Sequence, residues 1–413
     1  MKRELIIYLM GRLIPATVSL AVIVLAIRFL GPAEYGRYSL LLYTALLAIT
    51  LSFHWVQVSI LKFLGGMLRE TNVVMSRFYD LTILSAIFST IVVVLAGLFY
   101  FRLSWIEMVL VALFTFLNHF YLFHQAILQA YHRSIRTAIL EGTDQVLIIM
   151  ALLAGLFLFN LRSSVLLFGA LVIGLIGVLI LRSLIRVKGL LTVDLTHIYW
   201  DSRFSGKVVE FGYGIALWLF FSHLMMAADR FIVMERFGYH DAGIYSGIKD
   251  LFYKAVTFAS FPLYMSYQTK VADQWNSKHR RETWATIREA LSFEILIFII
   301  VFIMFMVFKP VLFKEVLKVP QMDHWLIYLP VLLAAFLWQF ALLLHRYLEL
   351  AFRSGIMLVA LAVTVAANIV LNLLFVTWHN FIASGLILLI TTALYTGFMF
   401  IMAFIAGRRL NVE

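Results

Sequence analysis

One stretch of the chain sets basic and polar residues on a single face of an otherwise apolar run. Counted from Ser246 at 100° per residue, Lys249, Asp250, Tyr253, Lys254, Thr257, Ser260 and Tyr264 fall between about −60° and +80° of a helix. A stripe with two lysines does not face lipid, because a charge at mid-bilayer costs at least ~2.5–3.5 kcal/mol. Two readings follow. In one, the stripe walls a wet cavity and Lys249 and Lys254 bind an anion as mobile point charges. In the other, Asp250 pairs with Lys254 at i,i+4 and holds helices together, which leaves Lys249 over. Arg12, three residues before Pro15, either snorkels to the membrane interface or joins the lysines on the anion.

Other polar residues share faces without charge. Asn118, Tyr121, Gln125 and Gln129 recur at i, i+3, i+7 and i+11. Amides and phenols offer the donors and acceptors that sugar hydroxyls need, and the same groups also bond helix to helix in a packed bundle. Asn368 and Asn372 form a similar pair, four residues apart. Among the acids, Asp229 beside Arg230 suggests an ion pair that closes an external mouth, with Asp250 as a further gating group. Glu141 and Asp144 suggest a proton or cation site, or two acids favoured near a helix N-terminus.

Several chemistries are excluded. The chain has no cysteine, which removes disulfides, thiolate metal sites and cysteine nucleophiles. It carries no H-E-x-x-H, no Walker loop and no D-x-D, and its histidines lack ligand spacing. No enzyme, cofactor or metal site is expected.

The elements that position these residues follow from composition. Of 413 residues, 63% are apolar and 13% charged, with mean hydropathy +0.97. No soluble fold buries so much apolar surface; the supply covers about 13 spans of ~20 residues. Twelve helices are predicted, at 6–28, 38–61, 78–101, 105–130, 138–160, 164–185, 209–232, 245–267, 291–313, 325–349, 354–376 and 382–405. With the N-terminus in the cytoplasm, 21 of the 33 Lys and Arg lie on the cytoplasmic side and nine opposite, while Arg12, Lys249 and Lys254 fall inside spans. That bias places both termini inside and accounts for the net charge of +11 without nucleic acid. The expected fold class is all-α, a polytopic membrane protein of two six-helix lobes, 1–185 and 209–413, joined by a cytoplasmic linker at 186–208.

The lobes read as repeats. Residues 28–39 are RFLGPAEYGRYS and residues 236–246 are RFGYHDAGIYS. With one gap they share Arg, Phe, Gly, Gly, Tyr and Ser, and beyond the gap the offset is 207, half the chain. Six spans per block keeps both blocks in one orientation, related by a pseudo-two-fold axis along the membrane normal.

The opening GRLIPATVSLAVIVLAIRFLGPAEYGRYSL (11–40) resembles the start of Wzx-type lipid-linked oligosaccharide flippases. So do Asp229-Arg230 with Ala242 to Ser246 after it, the run ending in Phe261-Pro262-Leu263, and Asn368 with Asn372. The resemblance covers nearly the whole chain. It implies the MATE-like fold of the multidrug/oligosaccharidyl-lipid/polysaccharide exporter superfamily. It also implies export of an undecaprenyl-diphosphate-linked glycan across the inner membrane for O-antigen or other polysaccharide biosynthesis. Membrane lipid and the polysaccharide polymerase machinery are the implied partners. On this reading Arg12, Lys249 and Lys254 hold the diphosphate. Asn118, Tyr121, Gln125, Gln129, Tyr253, Thr257, Asn368 and Asn372 line the glycan cavity. A drug/cation antiporter of the same fold is the alternative, for which acids should dominate the cavity.

Overall fold

The computed structural model describes residues 15–66, 71–131, 133–184, 202–277, 279–351, 354–379 and 381–410. Every regular element among them is helical. We number α1 (Pro15–Leu30), α2 (Pro32–Gly66), α3 (Thr71–Ala96), α4 (Trp105–Ala130), α5 (Ser134–Phe157) and α6 (Ser164–Leu184). A continuous run, Ser202–Asn276, breaks at Gly238 into α7 (202–237) and α8 (239–276). Then follow α9 (Arg280–Pro310), α10 (Trp325–Leu350), α11 (Ser354–His379) and α12 (Ile382–Leu410). Ten helical runs are long and apolar enough to cross a membrane; separating α7 from α8 and adding the shorter α1 makes twelve among the described residues. The protein is therefore a multi-pass, all-α membrane protein.

Helix ends depart from the apolar stretches in physically sensible ways. Helix α7 begins at Ser202, so 202–208 of the expected linker is helical: Val208 is buried in a core with Phe53, Val56, Phe78 and Phe123, and its carbonyl accepts from Ser59 Oγ at 3.0 Å. Helix α9 starts at Arg280, well before its apolar run. At the other end of the scale, α4 starts where predicted because Ser104 and Glu107 form a reciprocal capping box. Buried Glu107 also accepts from Arg37 of α2 at 2.8 Å and from Ser164 of α6 at 3.1 Å, so one carboxylate ties three helix ends.

The repeated motif adopts one backbone geometry twice. Gly31 ends α1 with φ 89°, and Gly238 ends α7 with φ 81°, a region that favours glycine. Five residues on, Gly36 and Gly243 approach so closely that a Cβ on Gly36 would lie 2.3 Å from the Tyr239 carbonyl oxygen. A Cβ on Gly243 would reciprocally lie 1.7 Å from the Pro32 carbonyl oxygen. Residue 36 against 239 and residue 243 against 32 is one contact made in both directions, which is how duplicated segments meet about a local two-fold.

By internal packing the chain forms two units. One comprises Arg37–His223 with the chain up to Val22; the other comprises Ile23–Gly36 with Leu224–Glu413. The end of α1 and the start of α2 therefore pack with the C-terminal helices, and the first part of α7 packs with the N-terminal ones. In the second unit the aromatic core of α10 and α12 includes Trp338 stacked on Tyr395, whose hydroxyl meets His345 Nε2 at 2.8 Å. Helix α9 presents Phe293, Ile295, Leu296, Ile299, Ile300, Ile303, Met304 and Val307 outward. An exposed apolar surface this continuous is a lipid-facing one.

Candidate functional site

The α7–α8 hairpin carries adjacent opposite charges on each arm: Asp229 and Arg230 on α7, Lys249 and Asp250 on α8. They pair crosswise. Lys249 Nζ donates to both Asp229 oxygens at 2.6 and 2.9 Å and to the Met225 carbonyl at 3.2 Å. Arg230 makes a forked contact to Asp250 at 2.7 and 2.9 Å, and its Nε donates to the Met226 carbonyl at 2.9 Å. Two tyrosines complete the carboxylates. Tyr245 donates to Asp229 and Tyr35 donates to Asp250, each at 2.6 Å. Asp229 and Lys249 are 0% exposed, Arg230 is 1% and Asp250 is 8% exposed. Two acids and two bases thus form a neutral, hydrogen-bonded quartet, the condition under which buried charge is tolerated.

This arrangement changes three expectations. Lys249 does not line a cavity; it is sealed against Asp229. Asp229 accepts the Arg230 backbone N–H at 2.9 Å, the Lys249 ammonium and the Tyr245 hydroxyl, so the two neighbours belong to a four-residue cluster and not to an isolated mouth pair. Their charged partners lie on α8, within the same unit. Asp250 takes the forked Arg230 guanidinium on both oxygens, while the Lys254 charge acts on it from one turn away without a close ion pair. One turn beyond Asp250, Lys254 is exposed and makes no ion pair among the described residues. Tyr253 is half-buried beside it, and Thr257 is exposed and accepts from Gln339 Nε2 of α10 at 2.7 Å.

The uncharged stripes divide. Asn118, Tyr121, Gln125 and Gln129 are all half-buried on α4, and the Gln125 amide donates to Glu141 of α5. Asn368 and Asn372 are fully buried and do not line a cavity. Asn368 donates to Thr391 of α12 at 3.0 Å and so bonds helix to helix, while Asn372 donates back to the Asn368 carbonyl within α11 at 2.8 Å. Glu141 and Asp144 are buried and lie beyond the first turn of α5, which begins at Ser134; the helix-terminus explanation does not apply to them. Asp144 Oδ2 accepts from Gln145 at 3.2 Å. Its Oδ1 is buried without a hydrogen-bond partner, facing Gly174 of α6 where a Cβ would come within 2.7 Å. Arg12 lies outside the described residues.

Sequence reasoning missed Tyr35 and Tyr245 as ligands of the quartet, although both stand in the repeated motif. It also missed Glu294 of α9, which is buried and accepts from Ser260 of α8 at 2.6 Å. A single acid in a long apolar run was the available signal.

No protein-family model and no curated protein matches the sequence. Solved structures are similar over the whole chain. An inward-facing multidrug resistance MATE family transporter of the MOP superfamily aligns with TM-score 0.73 and 13% identity, covering 98% of this chain and 99% of that one. The outward-facing conformation of such a transporter aligns with TM-score 0.70 and 13% identity, covering 99% and 96%. A MOP superfamily transporter from Pyrococcus furiosus, described as having a binding pocket of reverse polarity that suggests a different function, aligns with TM-score 0.60 and 12% identity over 99% and 95%. The all-α, multi-pass architecture of this chain is the fold of the MATE transporters of the MOP superfamily.

Proposed function

We propose that the protein is a flippase that moves an undecaprenyl-diphosphate-linked oligosaccharide repeat unit across the cytoplasmic membrane by alternating access. The supporting observation is the polarity of the exposed face of α8. The quartet is neutral, so Lys254, which makes no close ion pair among the described residues, is left as an exposed excess positive charge within an apolar span. Intramembrane charge of this kind marks a substrate path, and an ammonium selects anions such as a diphosphate. Arg12 is the second proposed contact to the diphosphate, while Lys249, engaged by Asp229, positions α8. Tyr253 and Thr257 flank Lys254 as sugar-binding groups. The half-buried amides and phenol of α4 supply a further set.

In this reading the protein alternates between states open to either side of the membrane, with both termini cytoplasmic. The glycan polymerase machinery takes the product. The Pyrococcus furiosus neighbour is a precedent for reversed pocket polarity on this fold. The fold supports a drug/cation antiporter equally well, and the open oxygen of buried Asp144, with Glu141 one turn away, favours an ion-coupled site of that kind. Deleting the gene discriminates between the two. A flippase loss should leave a polyprenyl-diphosphate-linked glycan accumulated on the cytoplasmic face. Sensitivity to cationic drugs without any lipid-linked intermediate would favour the antiporter.

A further inference from the structure

The hydroxyl of Thr257 is bonded in a different direction from those of other helical threonines. Thr257 lies on α8 three residues past Lys254, and both side chains are exposed. A threonine inside a helix commonly turns its hydroxyl back to the carbonyl four residues earlier. Thr364 does so to Ala360 and Thr391 to Ile387, each at 2.8 Å. Thr257 does not. Its Oγ1 accepts from Gln339 Nε2 of α10 at 2.7 Å, and among the described residues its proton has no acceptor. Gln339 is 6% exposed, so the amide reaches the hydroxyl from inside the unit and leaves the proton for the exposed side.

The direction of that bond decides what the hydroxyl recognises. An O–H whose oxygen already accepts from an amide is polarised toward donation. An ammonium has donors only. Lys254 and Thr257 are three residues apart, about 4.5 Å along the helix axis, and together they offer two donors on one exposed face. The matching ligand has neighbouring oxygens that only accept, as a diphosphate does. A sugar, whose hydroxyls must also donate, matches it less well, and a cation meets only donors there. We propose that Gln339 is a positioning residue that fixes Thr257 as a hydrogen-bond donor, and that Lys254 and Thr257 take adjacent oxygens of the diphosphate. The inference rests on the flippase reading and narrows it: Thr257 serves the diphosphate, and Tyr253 remains with the sugar.

The test is titration of a short prenyl diphosphate that carries no sugar into the detergent-solubilised full chain. Thr257→Val should weaken binding about 10-fold, the worth of one hydrogen bond to a charged group, and Thr257→Ser should stay near wild type. Gln339→Met should cost about as much as Thr257→Val, because the released hydroxyl then turns back to the Tyr253 carbonyl. The double variant Thr257→Val/Gln339→Met should bind no more weakly than either single one, since both remove the same bond. Unchanged affinity in Thr257→Val, while Lys254→Ala still loses it, overturns the inference and leaves the flippase reading standing. Single losses that add in the double variant also overturn it, because Gln339 then acts independently of Thr257. Failure of the wild-type chain to bind the probe overturns both.

Discussion

Asp229→Ala should destabilise the protein by about 3–5 kcal/mol, because it strands the Lys249 ammonium in a fully buried position. The double variant Asp229→Ala/Lys249→Met should recover most of that loss, since a buried pair replaced by apolar groups is close to neutral. Asp250→Ala should behave like Asp229→Ala, because Arg230 is 1% exposed and forked onto Asp250. Thermal loss of the monodisperse species in detergent measures all three. If the single and double variants melt together, Lys249 has water or another acid to turn to, and the neutral quartet is wrong. The quartet joins Tyr35 at the start of α2 to both arms of the α7–α8 hairpin. Its loss should therefore disorder that corner before the rest.

Lys254→Ala should leave stability within about 0.5 kcal/mol, as expected for an exposed side chain without a close ion pair. It should weaken binding of a polyprenyl diphosphate headgroup about 10- to 100-fold, the worth of one hydrogen bond to a charged group. Lys254→Arg should restore part of the affinity, because the charge returns with a different fork geometry. Lys254→Glu should abolish binding. Headgroup affinity measured by titration into the detergent-solubilised protein separates these outcomes, and equal affinity for wild type and Lys254→Glu would remove Lys254 from the site. The contrast between Lys249 and Lys254 is the core of the prediction: one loses stability when disturbed, the other loses ligand.

The helices were legible in the sequence because apolar runs long enough to span a bilayer have few alternatives. Their ends were less so. Helices α7 and α9 extend through 202–208 and 280–290 as amphipathic segments that a hydropathy reading takes for connectors. The periodicity of α8 placed Lys249, Asp250 and Lys254 on one stripe, which is correct, but a stripe spans a wide arc. One edge of it turns inward to Asp229 and the other stays exposed. Local spacing offered Asp250 a lysine four residues away, while the structure gives it an arginine twenty residues back, whose planar fork fits both oxygens. Asn368 and Asn372 were ambiguous in principle, since an amide on a membrane helix serves a sugar or a neighbouring helix equally. Thr391 on α12, invisible to any local pattern, decided it. The motif at 28–39 and 236–246 reads as duplication. Its glycines do meet reciprocally, but nothing local could assign Tyr35 and Tyr245 to carboxylates on other segments.

The claim that the protein carries an anion is tested most directly by flux in proteoliposomes. The polyprenyl diphosphate head carries about two negative charges, and each is worth ~2.3 kcal/mol per 100 mV. With a potassium–valinomycin potential, negative on the side of entry, and no proton or sodium gradient, transport of a labelled polyprenyl-diphosphate glycan should accelerate as the potential grows. It should slow when the potential is reversed. Transport of a cationic drug in the same vesicles, together with glycan rates indifferent to the potential, would contradict the account and return Glu141 and Asp144 to the centre of the mechanism.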